Sequence, residues 1–315
     1  MSLPMGRAMR EVFGETVAEL ATDDPRIVML DGDLGSSTKA DIFERAHPGR
    51  FLQMGIAEQN MIGVAAGLAS MGLIPFISTF VSFAVVRPLD QVRVQVAQTG
   101  LNVKLTAGYA GLFTGMAGKT HHIVDDISIM RAMPGIVSVS PADDVETDRV
   151  LRWAATYDGP VYVRIVRDPT QRLFGDDYTF RFGKAVEVRA GRDLTLIGTG
   201  AQTPRLVDAA EMLAAGGIDA GVLHLPTLKP FDTAAILAAA ERTGRLVTVE
   251  EHTILGGLGG AVAETLAEHR PTPLRRIGLQ DMYTESAPND ALLDLYGLSA
   301  ARVAEQVRAM RWSDS

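Results

Sequence analysis

The sequence predicts an α/β protein of two domains, each a mainly parallel sheet with helices on both faces. Two observations carry this. Short apolar runs alternate with stretches of helical apolar spacing along nearly the whole chain, the pattern of strands joined by crossover helices. That alternation is interrupted once, between Asp168 and Lys184, by a polar stretch with Pro and Gly and no period, which reads as a linker. A chain of 315 residues can build two cores. The domains are therefore expected at residues 1–175 and 176–315.

In order, Arg7 to Ala21 has helical spacing through Met9, Val12, Phe13, Val17 and Leu20, and Arg26 to Leu30 is a strand ending at Asp31-Gly32-Asp33. Phe51 to Met54 is a second strand. Ala57 to Met71, rich in Ala and Gly, is a helix that can pack closely on more than one side. A strand at Leu73 to Phe80, a helix at Val85 to Gln98, a strand at Val103 to Ala107 and a helix at Asp125 to Met133 follow. Then come Ile136 to Val139 (strand), Asp143 to Tyr157 (helix) and Val161 to Val166 (strand). Beyond the linker, strands are expected at Leu194 to Gly198, Gly221 to Leu225, Leu246 to Glu250 and Leu274 to Ile277. Helices are expected near Thr203 to Ala215, Thr233 to Arg242, Gly259 to Glu268 and Ser299 to Met310. The two halves are alike in element pattern, not in sequence.

Composition narrows the function. A net charge of -8, a pI near 5.3 and the lack of any dense Lys/Arg cluster give no basic field for a phosphate backbone, so nucleic acid is not expected as a partner. The absence of cysteine removes disulfides, thiolate nucleophiles and Cys-based metal sites. No basic segment followed by an apolar one stands at the N-terminus, so the cytoplasm is the expected location. Met61 to Val86 carries no charge and has the length of a membrane span, but Pro75 and the Ser/Thr residues between Ser78 and Ser82 divide it into a buried helix, a turn and a buried strand. No membrane association is expected. Gly198-Thr199-Gly200 follows a strand but lacks the third glycine of a dinucleotide fingerprint, Thr203 standing in its place.

Open parallel sheets bind ligands at the carboxyl ends of their strands. Glu58 follows the second strand and borders the uncharged run, where desolvation favours the neutral acid and hence a short donated hydrogen bond. It could equally be a carboxylate that opens a helix against the dipole. Phe80 and Phe83 follow the third strand, as stacking rings or as core. The Gly-rich loop Gly108 to His122 follows the fourth and ends in His121-His122, which no acidic cluster of ligand spacing accompanies. A carboxyl that can hold a proton, two aromatic rings and a loop ending in histidines suit a planar nitrogen-containing ring that stacks and receives a proton.

Four segments, Met54-Gly-Ile-Ala-Glu-Gln-Asn-Met with Ala65-Ala-Gly-Leu-Ala, Ser78-Thr-Phe-Val-Ser-Phe, Gly118-Lys-Thr-His-His, and Pro134-Gly-Ile-Val-Ser-Val-Ser-Pro-Ala-Asp, resemble the transketolase family in order and spacing from about Arg7 to Arg167. The second half resembles that family's C-terminal domain. The resemblance covers the pyrimidine-binding and C-terminal domains of a thiamine diphosphate enzyme. The diphosphate-binding domain, whose Gly-Asp-Gly and Asn motif holds the metal, has no counterpart. It therefore implies the second subunit of a split transketolase that uses thiamine diphosphate and Mg2+, the Mg2+ held mainly by a separate N-terminal, diphosphate-binding subunit. A heterotetramer follows, with a homodimeric contact of this chain through the Ala/Gly-rich helix and second domain.

The roles the resemblance implies are specific. Glu58 matches the glutamate that hydrogen-bonds the cofactor's aminopyrimidine and favours its imino form, Phe80 and Phe83 match rings that hold the pyrimidine, and Asp33 faces the cofactor. His121 matches the histidine of a Thr-His pair that contacts substrate oxygens. Arg7, Ser37 and Arg167 fall where relatives grip the sugar phosphate. Two positions depart from the pattern. Ala117 stands where the family has a substrate-sensing aspartate, and Tyr109 where it has a phosphate-binding histidine, so a modified, amino or sulfo sugar, or a small aldehyde, is open beside a common sugar phosphate. The implied reaction is two-carbon ketol transfer between a ketose and an aldose. A 2-oxo acid dehydrogenase beta subunit, a deoxyxylulose-phosphate-synthase-like enzyme and a non-catalytic subunit of the same fold are the alternatives. The Thr120-His121 pair favours transketolase.

Overall fold

A computed structural model describes residues 3–312; the outermost residues of the two expected domains, 1–2 and 313–315, lie outside the described residues. The first half runs β1 (Met5–Ala8), α1 (Met9–Asp23), β2 (Ile27–Asp31), α2 (Gly35–Thr38), α3 (Ala40–Ala46), β3 (Phe51–Gln53), α4 (Glu58–Ser70), β4 (Ile74–Ser78), α5 (Val81–Val85) and α6 (Leu89–Gln91). It continues β5 (Lys104–Ala107), α7 (Asp126–Ala132), β6 (Val137–Val139), α8 (Asp144–Thr156), β7 (Val161–Arg164) and β8 (Pro169–Gln171). The second half adds β9 (Val186–Arg189), β10 (Leu194–Gly198), α9 (Thr203–Ala215), β11 (Ala220–His224), β12 (Thr227–Lys229), α10 (Thr233–Thr243), β13 (Leu246–Thr253), α11 (Leu258–His269), β14 (Leu274–Leu279), α12 (Asn289–Leu295) and α13 (Ala300–Ala309).

Two sheets carry the fold. Strands β12-β6-β7-β5-β4-β2-β3 form the first, parallel throughout except for β12, which runs antiparallel to β6. Strands β14-β13-β10-β11-β9 form the second, parallel except for β9. Every residue of β2, β4, β5, β6, β7, β10 and β11 is buried, as expected when helices cover both faces of a parallel sheet. The α/β architecture read from the alternation is the one observed.

Elements missed in the sequence are short or charged. β12, α2 and α3 are too brief to show a period, and Val186-Glu-Val-Arg in β9 lacks an apolar run. The expected linker is not wholly irregular, because Pro169–Gln171 pairs with β1. The expected single helix from Val85 to Gln98 is broken. α5 ends at Val85, α6 starts after Pro88, and Val92–Ala97 winds as a π-helix. Proline has no N–H to donate and crowds the residue before it, which explains the interruption.

The halves meet across a buried charge cluster. Arg164, at the end of β7, donates to Asp126 at 2.8 Å and to Glu251 of β13 at 2.9 Å, while Tyr162 donates to Asp126 at 2.6 Å. The three charged side chains are 2%, 0% and 3% exposed. Gly111 lies against this cluster at φ 62°, and a Cβ there would stand 2.8 Å from both Arg164 and Glu251, so glycine is required twice over.

Candidate active site

Because β2, β3, β4, β5 and β7 are parallel, the loops leaving their C-terminal ends share one edge of the sheet. Asp31, the last residue of β2, organises the first loop. Its buried carboxylate accepts from the N–H groups of Leu34 and Gly35 at 2.9 and 3.0 Å, from Gln53 at 3.1 Å and from the Ser78 hydroxyl at 2.9 Å. Burial raises its pKa, and these four donors oppose the rise. Asp33 and Ser37 ride on the loop so fixed, Asp33 exposed and at φ 64°.

Glu58 is the first residue of α4 and is 4% exposed, so helix dipole and burial act on the same carboxylate. It is not the lone carboxyl that the uncharged run suggests. Arg87 donates to it at 2.7 Å, and the same guanidinium lies over the Phe83 ring, its Cζ 3.7 Å from the centroid. The α5–α6 break delivers Arg87 to this position.

The aromatic side chains form a row. Phe80 and Phe83 are offset-stacked at 5.7 Å and 23°, and Phe80 stacks on Tyr109 at 3.8 Å and 21°. His121 stands edge-on to Phe83 at 5.4 Å and to Phe80 at 6.0 Å, and its Nδ1 lies 2.9 Å from the Thr120 hydroxyl. Phe80 is 7% exposed with Tyr109 on its face, whereas Phe83 is only partly buried and is the more available ring.

Tyr109 sits at φ 65°, rare for a non-glycine residue and a form of strain that concentrates at functional sites. Its hydroxyl accepts from Arg10 at 3.2 Å and from Arg167 Nε at 3.1 Å, and donates to the Ser37 carbonyl at 3.2 Å; Arg10 donates to that same carbonyl at 3.1 Å. Two guanidinium groups thus converge on one oxygen. Arg167 also pairs with Asp168 at 2.6 Å.

The structure therefore gathers Glu58, Phe83, Phe80, His121, Arg167 and the Ser37 backbone on one edge, with Ala117 exposed on the loop that carries His121. Arg7 is not brought there: it is exposed and ion-paired with Glu15 at 2.7 Å. Arg10, the second residue of α1, supplies the guanidinium beside Arg167, whereas Arg7 lies ahead of the helix in β1. Arg10, Arg87 and Asp31 were missed in the sequence. Only Arg87 had a readable signal, as the first charge after the uncharged run. Among the described residues no three or more His, Asp or Glu side chains are placed to hold a metal ion.

These features define an α/β protein built on two large sheets, with a candidate ligand-binding edge formed by a buried carboxylate and a row of rings. The model of the transketolase pyrimidine-binding domain matches residues 5–171, and that of the transketolase C-terminal domain matches residues 183–303. The chain belongs to the transketolase family, as a subunit that carries these two domains. It is 42% identical to the 6-deoxy-6-sulfo-D-fructose transketolase subunit of Clostridium sp. (strain MSTE9), over 94% of this chain and 92% of that one. It is 39% identical to an apulose-4-phosphate transketolase subunit of Phocaeicola vulgatus, over 92% and 93%. Among solved structures it is similar to a split-gene transketolase in an inactive beta4 tetramer, with 40% identity, a TM-score of 0.87 and coverage of 96% of this chain and 98% of that one.

Proposed function

We propose that this chain is the pyrimidine-binding subunit of a split thiamine diphosphate-dependent transketolase, transferring a two-carbon ketol unit from a ketose to an aldose. A separate subunit would hold the diphosphate and Mg2+. The observation that carries the reading is the pairing of buried Glu58 with the partly buried ring of Phe83. A flat N–C–N group, the guanidinium of Arg87, already bonds to one and stacks on the other. The aminopyrimidine of thiamine diphosphate presents the same flat N–C–N edge, so these residues fit it. When bound, the cofactor supplies a thiazolium carbon as nucleophile and electron sink.

The chain's own residues then have separable tasks. Glu58 holds or returns a proton at its carboxylate, shielded from water. Phe83 stacks, Phe80 supports it directly with Tyr109 behind, and Asp33 borders the cofactor from its loop. His121, set by Thr120, hydrogen-bonds substrate oxygens. Arg10 and Arg167 meet an anionic terminus at Ser37 and Tyr109, since guanidinium forks suit phosphate and sulfonate oxygens. The names of the two related subunits each carry an anionic sugar, one a sulfo and one a phospho sugar, which supports this assignment.

Ala117 removes a carboxylate that would accept from a substrate hydroxyl. Ala117→Asp is expected to shift acceptor preference toward aldehydes with a free neighbouring hydroxyl, read as relative kcat/KM for hydroxylated and deoxy acceptors. Unchanged ratios would remove this loop from acceptor recognition.

The described residues include no cluster of ligands for the cation that accompanies a diphosphate, and in this reading the site is completed at a subunit interface. Two-fold symmetry then gives two chains of each kind. A beta4 assembly described as inactive supports the view that such a chain associates with itself when its partner is missing. No helix among the described residues is long and apolar enough to cross a membrane, and we place the complex in the cytoplasm. The test is calorimetric titration with thiamine diphosphate and magnesium, with a ketol-transfer assay, on the chain alone and with its partner. Activity is expected only in the mixture; turnover by the chain alone would overturn the split assignment.

A further inference from the structure

We propose that Arg87 is a displaceable placeholder: its guanidinium fills the aminopyrimidine position between Phe83 and Glu58, and the cofactor enters by displacing it. This rests on the reading of that edge as the aminopyrimidine site. Arg87 makes both contacts the ring would make, a hydrogen bond to Glu58 at 2.7 Å and a stack on Phe83 at 3.7 Å. Phe83 has little room for a second stacked group, because Phe80 flanks it at 5.7 Å and His121 meets it edge-on at 5.4 Å. Arg87 and a bound ring therefore compete.

The pair is built unevenly. Glu58 is 4% exposed and fixed in the first turn of α4, whereas the Arg87 side chain is 44% exposed and can swing into solvent. Arg87 lies between α5 and α6, outside either helix. The backbone bonds around it are long, 3.4 Å from Val86 N to Ser82 O and 3.4 Å from Leu89 N to Val86 O. Gln59, next to Glu58, donates to the Arg87 carbonyl at 3.2 Å, so the side chain can leave while its backbone stays tethered beside the site.

The consequence is a trade. In the empty chain Arg87 spares Glu58 the cost of a buried carboxylate without a partner. On binding, the cofactor must take over that hydrogen bond, and its apparent affinity falls by the fraction of time the site is open. Removing Arg87 should tighten binding of the ring and loosen the empty protein.

The experiment titrates thiamine, which carries the aminopyrimidine without the diphosphate, into the full chain by ligand-observed NMR. Wild type is compared with Arg87→Met and Arg87→Lys. Lysine keeps the charge but loses the flat stacking group, which separates displacement from repulsion of the thiazolium. Binding about tenfold tighter in Arg87→Met, and tighter than wild type in Arg87→Lys, is expected, together with a lower melting temperature of both ligand-free variants. Should Arg87→Met fail to fold, Arg87→Lys against wild type decides alone. Equal or weaker binding by the folded variants, with wild type binding, would overturn the placeholder and leave the site intact. Absence of binding by every variant, and by the complex with its partner, would instead overturn the aminopyrimidine site itself.

Discussion

Glu58→Gln is expected to lower ketol transfer by about two orders of magnitude or more while leaving the fold unchanged, because a positioned acid or base contributes on that scale. Glutamine has nearly the shape of glutamate and can still accept from Arg87, so α4 and its packing should survive. It cannot take up or release a proton at the carboxyl oxygen. The measurement is kcat in the reconstituted complex, with assembly checked by sedimentation. Near-wild-type turnover in an intact complex would end the assignment of Glu58 as the proton-handling residue.

The second large effect concerns stability. Arg164→Met is expected to cost about 3–5 kcal/mol in denaturant unfolding, since it removes the cation from a buried cluster and leaves Asp126 and Glu251 facing each other without it. Methionine fills much of the volume, which keeps cavity formation a small part of the loss. The cluster has no slack: Asp126 Oδ1 and Glu251 Oε2 already lack hydrogen-bond partners among the described residues. A loss below about 1 kcal/mol would mean that water reaches the carboxylates and that the cluster behaves as an exposed ion pair.

Much of this molecule was legible in its sequence because the signals were long or categorical. Apolar runs such as Ile27 to Leu30 and Leu194 to Ile197 can only be buried, and their alternation with helical spacing leaves few architectures. Glu58 was visible because it borders a stretch without charge. What escaped was tertiary. Arg7 falls in β1 and Arg10 in α1, although the apolar spacing reads as one helix from Arg7 onward, and the partnership of Arg87 with Glu58 depends on where Pro88 interrupts a helix. Phe80 and Phe83 look equivalent in the sequence, yet Tyr109 covers one and leaves the other available. Asp31 looks like a loop residue; its four donors come from three separate segments.

The small strand β12 ties the two halves more firmly than its length suggests. Thr227 and Lys229 complete the ladder along β6, and the Lys229 ammonium donates to the last carbonyls of α7, from Arg131 at 3.2 Å and from Met133. A fragment ending before the second half would uncover a row of unpaired amides along β6, a template on which another chain can add a strand. It would also strip a helix end of its cap. Gene fission or engineered cleavage between the halves should therefore yield an aggregating product, and complementation by separately made pieces should fail where the whole chain succeeds.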